Sequence, residues 1–291
     1  LRQLKKYNRK VLLIGDTIVD KHVYSTVSGL SLESPTVKCN FNKEVIQLGG
    51  AANVAKHMSH LCSEVTFVTS MNPSYNVPGV NTINIESDTY NTKTRHWISR
   101  GDHTYKYLQI NNTNQNDLKY SLQDLVIEEY DVLAISDYRC GLVTDNIVEE
   151  ILKNKFSKKK YAASQVSSKE NNYDRYQTFD CFVMNKSEAM SYTKSEFPNF
   201  KSFADLKAKT VYVTMGAEGC TLYNASGFHH FQGKIASVSN TIGAGDAFYA
   251  ALLSSGGDVN FANRWASYYV SRNIDDEVTL RGMFEYEEAV R

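Results

Sequence analysis

Short apolar runs punctuate this chain at Val11–Gly15 (VLLIG), Val65–Thr69 (VTFVT), Asp131–Ser136 (DVLAIS), Phe179–Met184 (FDCFVM) and Lys209–Thr214 (KTVYVT). Runs this short and this uniformly apolar read as strands buried on both faces. Between and after them lie stretches with helical spacing, at Gly50–Cys62, Thr144–Lys153, Ala244–Leu253 and Phe261–Arg272. Strands alternating with helices predict an α/β fold: a mostly parallel central sheet flanked by helices. Cys220–Tyr223 and Phe228–Phe231 predict a hairpin around the polar turn Asn224–Gly227. The opening LRQLKKYNRK reads as a helix leading into the first strand, and the apolar run behind it is too short for a signal peptide.

Two segments break the pattern. Residues 21–48 and 88–112 alternate polar with β-branched or aromatic residues, as in KHVYSTVSG and TKTRHWIS. That is the signature of an antiparallel sheet buried on one face, and it predicts a small β-sheet lid over one end of the main body. Neither repeats nor Gly/Ser linkers divide the chain, so a single domain over 1–291 is expected, with lid segments at about 21–48 and 88–112. A chain of 291 residues suffices for one full core. Lys and Arg number 32 against 32 Asp and Glu, so no charge field argues for nucleic acid. No run of about 18 apolar residues argues for a membrane span. The five cysteines are scattered, odd in number and without C-x-x-C spacing, which favours a reducing cytoplasm over disulfides or zinc.

The chemistry concentrates in Asn240–Phe248 (NTIGAGDAF). Gly243, Ala244 and Gly245 let a ligand approach the backbone. An apolar helix starts directly behind them, and the first amides of a helix lack internal partners and sit at its positive end. Such a loop cradles phosphate, and Asp246 in the first turn is placed to accept a proton from an attacking hydroxyl. Taken alone, the segment reads equally well as a glycine turn with an acidic helix cap. Four further patterns accompany it. Gly49 and Gly50 open a helix carrying Asn53 (LGGAANVA), Asp16 follows the first strand with Asp20 four residues on (GDTIVD), Asn185 and Glu188 follow another strand (NKSE), and Thr214, Gly216 and Gly219 follow a third (VTMGAEG). Each alone also fits a turn or a cap. In open α/β sheets ligands bind beyond the carboxyl ends of strands, where these residues lie.

Asn-Thr-Ile-Gly-Ala-Gly-Asp-Ala-Phe resembles the D-T-x-G-A-G-D-x-F signature of ribokinase-like (PfkB) carbohydrate kinases, and the other patterns follow in that family's order along nearly the whole chain. The resemblance implies a ribokinase-like fold and phosphoryl transfer from ATP to a sugar hydroxyl. It makes Asp246 the base and Gly243, Ala244 and Gly245 the anion hole. It puts Asp16, Asp20, Gly49, Gly50 and Asn53 on the sugar. Asn185, Glu188, Thr214, Gly216, Gly219 and Asn263 fall to the nucleotide, with Glu188 organising Mg²⁺ through water. It also implies a homodimer through the lid.

Within the family the chain is most similar to the heptose-7-phosphate kinase branch, on GDTIVDKHVY, LGGAANVAKHM, TKTR and SDYRCGLVT. A sugar-phosphate acceptor needs cations for its distal phosphate, and Arg95 and Lys93 are candidates; a solvent-facing lid strand accounts for them equally. Three positions depart from the resemblance: Asn240 replaces the family's first Asp, Cys140 a Lys, and Ser167 an Asp. They motivate an alternative, a non-catalytic sugar- or nucleotide-binding protein derived from such a kinase. The H-x-G-H nucleotidyltransferase motif is absent, so adenylyl transfer is not expected from this sequence. A dinucleotide oxidoreductase is disfavoured because GDTIVD lacks G-x-G-x-x-G.

Overall fold

The computed structural model describes residues 6–114, 116–123, 127–153, 158–165, 172–195, 203, 209–234, 237–272 and 276–290. Along the chain run β1 (Tyr7–Gly15), β2 (Thr17–Leu30), β3 (Val37–Gly50), α1 (Ala51–Leu61), β4 (Cys62–Thr69), β5 (Asn81–Asn84), β6 (Thr92–Arg100), β7 (His103–Asn112), β8 (Val132–Asp137), α2 (Asp145–Lys153), β9 (Lys159–Ser164), β10 (Cys181–Asn185), α3 (Lys186–Thr193), β11 (Thr210–Thr214), β12 (Gly219–Asn224), β13 (Gly227–Gln232), α4 (Ala244–Ser255), α5 (Val259–Val270) and α6 (Leu280–Ala289).

Nine strands form the main sheet in the order β13-β12-β11-β10-β9-β8-β1-β4-β5. Pairing is parallel from β5 across to β11, and the β11-β12-β13 edge is antiparallel. The predicted hairpin is therefore β12–β13, with Asn224 opposite Gly227. Alternate residues of the central strands face opposite sides, which produces two cores. Val11 and Leu13 pack with α1, α4 and Trp265 of α5 on one face. Leu12 and Ile14 pack with Ile147 and Ile151 of α2 and with Tyr173, Tyr176 and Phe182 on the other. Each such fully buried side chain contributes roughly 1.5–3 kcal/mol, and this is why the runs in β1 and β8 contain almost no polar residue.

A second, four-stranded sheet has the order β3-β2-β6-β7. The alternating pattern predicts antiparallel pairing throughout. That holds for β2–β3 and β6–β7, but β2 and β6 run parallel. Both leave the same edge of the main sheet, β2 directly after β1 and β6 after the β5 edge strand, so they extend in the same direction. Tyr24 lies opposite Trp97, and their rings stack with His22, whose Nδ1 accepts the Trp97 indole N–H at 3.0 Å.

Several sequence expectations need adjustment. Strand β1 begins at Tyr7, so residues 7–10 extend a strand where a helix was expected, and residues 1–5 lie outside the described part. Strands β5 and β9 and helices α3 and α6 are not predicted from the apolar pattern. Ser167 falls outside the described residues. Among the described residues, no helix is long and apolar enough to cross a membrane.

Candidate active site

The carboxyl ends of β1, β8, β10 and β11 meet the N-terminus of α4 and the base of the second sheet. One cavity of about 1050 Å³ opens there. Asp20, Gly49, Gly50, Asn53, Lys93 and Arg95 line one wall. Asn185, Thr214, Gly216 and the 240–246 loop line the other. Most of the predicted site residues are thereby brought around a single space, with Asp246 at the junction of the walls.

Gly243 caps α4 with φ 84°, in the left-handed region where a side chain is strained. A Cβ there would also stand 2.6 Å from Asn53 Nδ2 and 2.8 Å from the Tyr269 hydroxyl. The tight turn brings Asp246 against α1, and Asn53 Nδ2 donates to Asp246 Oδ2 at 3.0 Å. The Tyr138 hydroxyl donates to Asp246 Oδ1 at 2.5 Å. The Ala244 amide is engaged by the Thr241 carbonyl at 3.2 Å, so the amides left for an anion are those of Gly243, Gly245 and Asp246 around the first helical turn. This narrows the predicted anion hole. Asn240 Oδ1 accepts the Ile242 amide at 3.0 Å. An asparagine carbonyl serves that turn as a carboxylate would, so this departure leaves the loop intact.

Burial pushes Asp246 up to about 6, against the Tyr138 and Asn53 hydrogen bonds, which favour the charged form; Asp20 raises it further and Lys93 lowers it. A base works ionised. The value of kcat/KM is therefore expected to fall as pH drops through about 6, roughly tenfold per unit below it. A pH–rate profile with its acid limb near 4, the ordinary carboxylate range, would contradict this environment.

Asp20 and Arg95 form an ion pair across β2–β6, both largely buried. A Cβ at position 49 would stand 2.5 Å from Asp20 Oδ2, so Gly49 leaves room for this carboxylate beside the cavity. Lys93 stands opposite Asp20 in the register.

Four assignments move. Asp16 does not line the cavity. Its buried carboxylate accepts the amides of Tyr138 (2.9 Å), Cys140 (3.3 Å) and Leu142 (3.1 Å). Its lone pairs hold the turn after β8 and do not face a ligand. Burial, with the charge of Asp137 beside it, pushes its carboxyl upward against those three bonds. Glu188 is likewise turned inward: its Oε2 accepts the Asn185 amide at 2.8 Å while Asn185 Oδ1 accepts the Glu188 amide at 2.9 Å, a capping box that starts α3. Gly219 closes a turn in which its carbonyl accepts the Met215 amide at 2.8 Å. Asn263 is buried on α5 and donates to the Phe231 and Gln232 carbonyls, tying α5 to β13 away from the cavity lining.

Tyr138, Lys56, Tyr269 and Arg272 also line the cavity, and sequence reasoning gave them no role. Tyr138 sits in SDYRCG, directly after a strand, which is the positional signal that marks Asp16 and Asn185 as well. No group of three His, Cys, Asp or Glu side chains among the described residues could hold a metal ion. With Glu188 engaged in its cap, the described residues offer no cage of their own for Mg²⁺.

Residues 74–259 match the profile described as pfkB family carbohydrate kinase. The chain is similar to the bifunctional protein HldE of a Nitratiruptor species, at 22% identity over 97% of this chain, and to that of Aliarcobacter butzleri, at 25% over 96%. It spans 66% and 64% of the length of those two proteins. Its fold is similar to that of phosphofructokinase-2 from Escherichia coli in complex with substrates and products (TM-score 0.70, 14% identity, 97% of this chain and 99% of that one). It is also similar to Arabidopsis thaliana ribokinase complexed with ribose and ATP (TM-score 0.68, 15% identity, 98% and 99%). The fold is ribokinase-like, the profile match takes in the Asp246 loop, and the chain belongs to the pfkB family of carbohydrate kinases.

Proposed function

We propose that the chain transfers the γ-phosphoryl group of ATP to a hydroxyl of a sugar or sugar phosphate, and that the acceptor is heptose 7-phosphate, on the similarity to the heptose-7-phosphate kinase branch. The observation that carries this reading is the position of Asp246 between two unlike walls of one cavity. One wall carries hydroxyl-binding and cationic side chains (Asp20, Asn53, Lys93, Arg95), and the other is backbone-rich. The acceptor oxygen attacks the γ-phosphorus, Asp246 takes its proton, and ADP leaves with the electron pair of the broken P–O bond. The first-turn amides of α4 hold the charge on the transferring group. Charge neutralisation there would come from Mg²⁺ bound with the nucleotide.

The second phosphate is argued from Lys93 and Arg95. Asp20 offsets part of the Arg95 charge, but a guanidinium has five N–H donors and can serve a carboxylate and a phosphate together. A coupled ADP-release assay over matched sugars and sugar phosphates tests the reading. Phosphorylated acceptors are expected to turn over and their unphosphorylated forms to lag by at least about tenfold, as loss of a charge-assisted contact implies. Arg95→Ala is expected to raise the acceptor KM about tenfold or more with the ATP KM within about twofold. Equal turnover of both acceptor classes would remove the second phosphate from the proposal. ADP release with none of the acceptors would favour a binding protein.

A further inference from the structure

Asp246 is the proposed base, yet both of its carboxylate oxygens already carry a protein donor. Asn53 occupies Oδ2 and the Tyr138 phenol occupies Oδ1. Tyr138 lines the cavity, so its hydroxyl competes with any incoming oxygen for that face of the base.

The turn that presents Tyr138 is built with unusual redundancy. Asp16, at the end of β1, accepts three of its amides, at Tyr138, Cys140 and Leu142. Asp137 Oδ1 accepts the Arg139 amide at 2.7 Å, and its Oδ2 is held by Tyr176 (2.6 Å) and Asn172 (2.8 Å). Arg139 takes φ 60°, a conformation that a non-glycine residue keeps only where surrounding contacts impose it. Two buried carboxylates are thus committed to the shape of one turn, and the polar side chain this turn sends to the proposed base is Tyr138.

Resting on the kinase reading above, we propose that Tyr138 is a positioning residue that caps Asp246 until an acceptor displaces it, and so suppresses transfer of the phosphoryl group to water. With ATP bound and no acceptor, an uncapped Asp246 would seat a water molecule. The water oxygen would bond to the γ-phosphorus, its proton would pass to Asp246, the bond to the β-phosphate oxygen would break, and ADP and orthophosphate would leave. The phenol takes one lone pair of Oδ1 and, lining the cavity, stands in the way of a water molecule approaching this oxygen. An acceptor held by the opposite wall has enough contacts to displace it, and a water molecule has none.

The test uses the whole chain with Mg-ATP and water alone, at pH 8, where Asp246 is ionised. Tyr138→Phe removes the hydroxyl and keeps the ring. Acceptor-free ATP hydrolysis is expected to rise at least tenfold over the unaltered protein, and Asp246→Asn in the same background is expected to abolish the increase. The acid limb of that hydrolysis is expected to move to higher pH, because the lost hydrogen bond favoured the charged carboxylate. Asp20 on β2, Lys93 on β6 and Tyr269 on α5 also act on this group and are unchanged in the variant. Tyr138→Leu checks the result with a second apolar side chain, and circular dichroism establishes that each variant is folded. Hydrolysis that stays within twofold in both folded variants, or an increase that survives Asp246→Asn, overturns the proposal. Loss of acceptor phosphorylation in Asp246→Asn alongside unchanged hydrolysis in Tyr138→Phe removes only the role of Tyr138. Retained phosphorylation in Asp246→Asn removes the base itself.

Discussion

Asp246→Asn is expected to lower kcat by about 10³-fold, within the range general-base catalysis supplies, with the KM for ATP within about threefold. The asparagine keeps the size of the side chain and can still accept from Tyr138 or Asn53 through its carbonyl oxygen. Packing around the α4 N-terminus should therefore survive, and the thermal midpoint should stay within a few degrees. What disappears is an oxygen basic enough to take the proton of the acceptor. Steady-state kinetics beside thermal unfolding separate these effects. Turnover within tenfold of the unaltered protein would mean that positioning and charge neutralisation carry the reaction without this base.

The second large effect belongs to Asp16, and it takes a different form. Asp16→Ala leaves the amides of Tyr138, Cys140 and Leu142 buried with no acceptor. Each orphaned buried donor costs about 1–3 kcal/mol, so destabilisation of roughly 3–5 kcal/mol is expected, in the range that follows loss of a buried polar network. For a chain of this size that is a fall in Tm of roughly 5–10 °C or more. Acceptor-free ATP hydrolysis should rise as well, because the loosened turn no longer sets Tyr138 against Asp246. Asp16→Asn restores one acceptor oxygen and should recover part of the stability. If Asp16 instead bound the acceptor directly, Asp16→Ala would raise the acceptor KM and leave Tm nearly unchanged. Calorimetry alone distinguishes the two roles.

Asp16 also illustrates what could be read before the structure. Its place at the carboxyl edge of the sheet follows from the VLLIG run before it. Its partners do not, because Tyr138, Cys140 and Leu142 are distant in sequence, 122 to 126 residues away, and their amides carry no side-chain signal. Glu188 is a similar case. The N-x-x-E spacing fits a metal-organising acid and a capping box alike, and here the helix-start geometry of α3 takes both side chains. The central strands were legible because burial on two faces leaves no room for polar residues. Strand β5 is only four residues long, and β9 begins with two lysines, so neither shows such a run. The Asp246 loop was legible because a glycine turn, an apolar helix and an acid in its first turn are local features with a local meaning. Tyr138 was not, because its meaning arises only where the turn after β8 meets α4.

The division of the cavity between two sheets has a consequence for how such a protein can change. Of the side chains proposed to choose the acceptor, Asp20, Lys93 and Arg95 hang from β2 and β6, whereas Asn53 on α1, the phosphate loop and the proposed base belong to the helices and the main sheet. A substitution at Lys93 or Arg95 alters a strand whose neighbours are β2 and β7, and it touches neither hydrophobic layer that holds α4 in place. Selection for a new acceptor can therefore act on one layer of the molecule while the packing that holds the phosphate loop is inherited unchanged from the other.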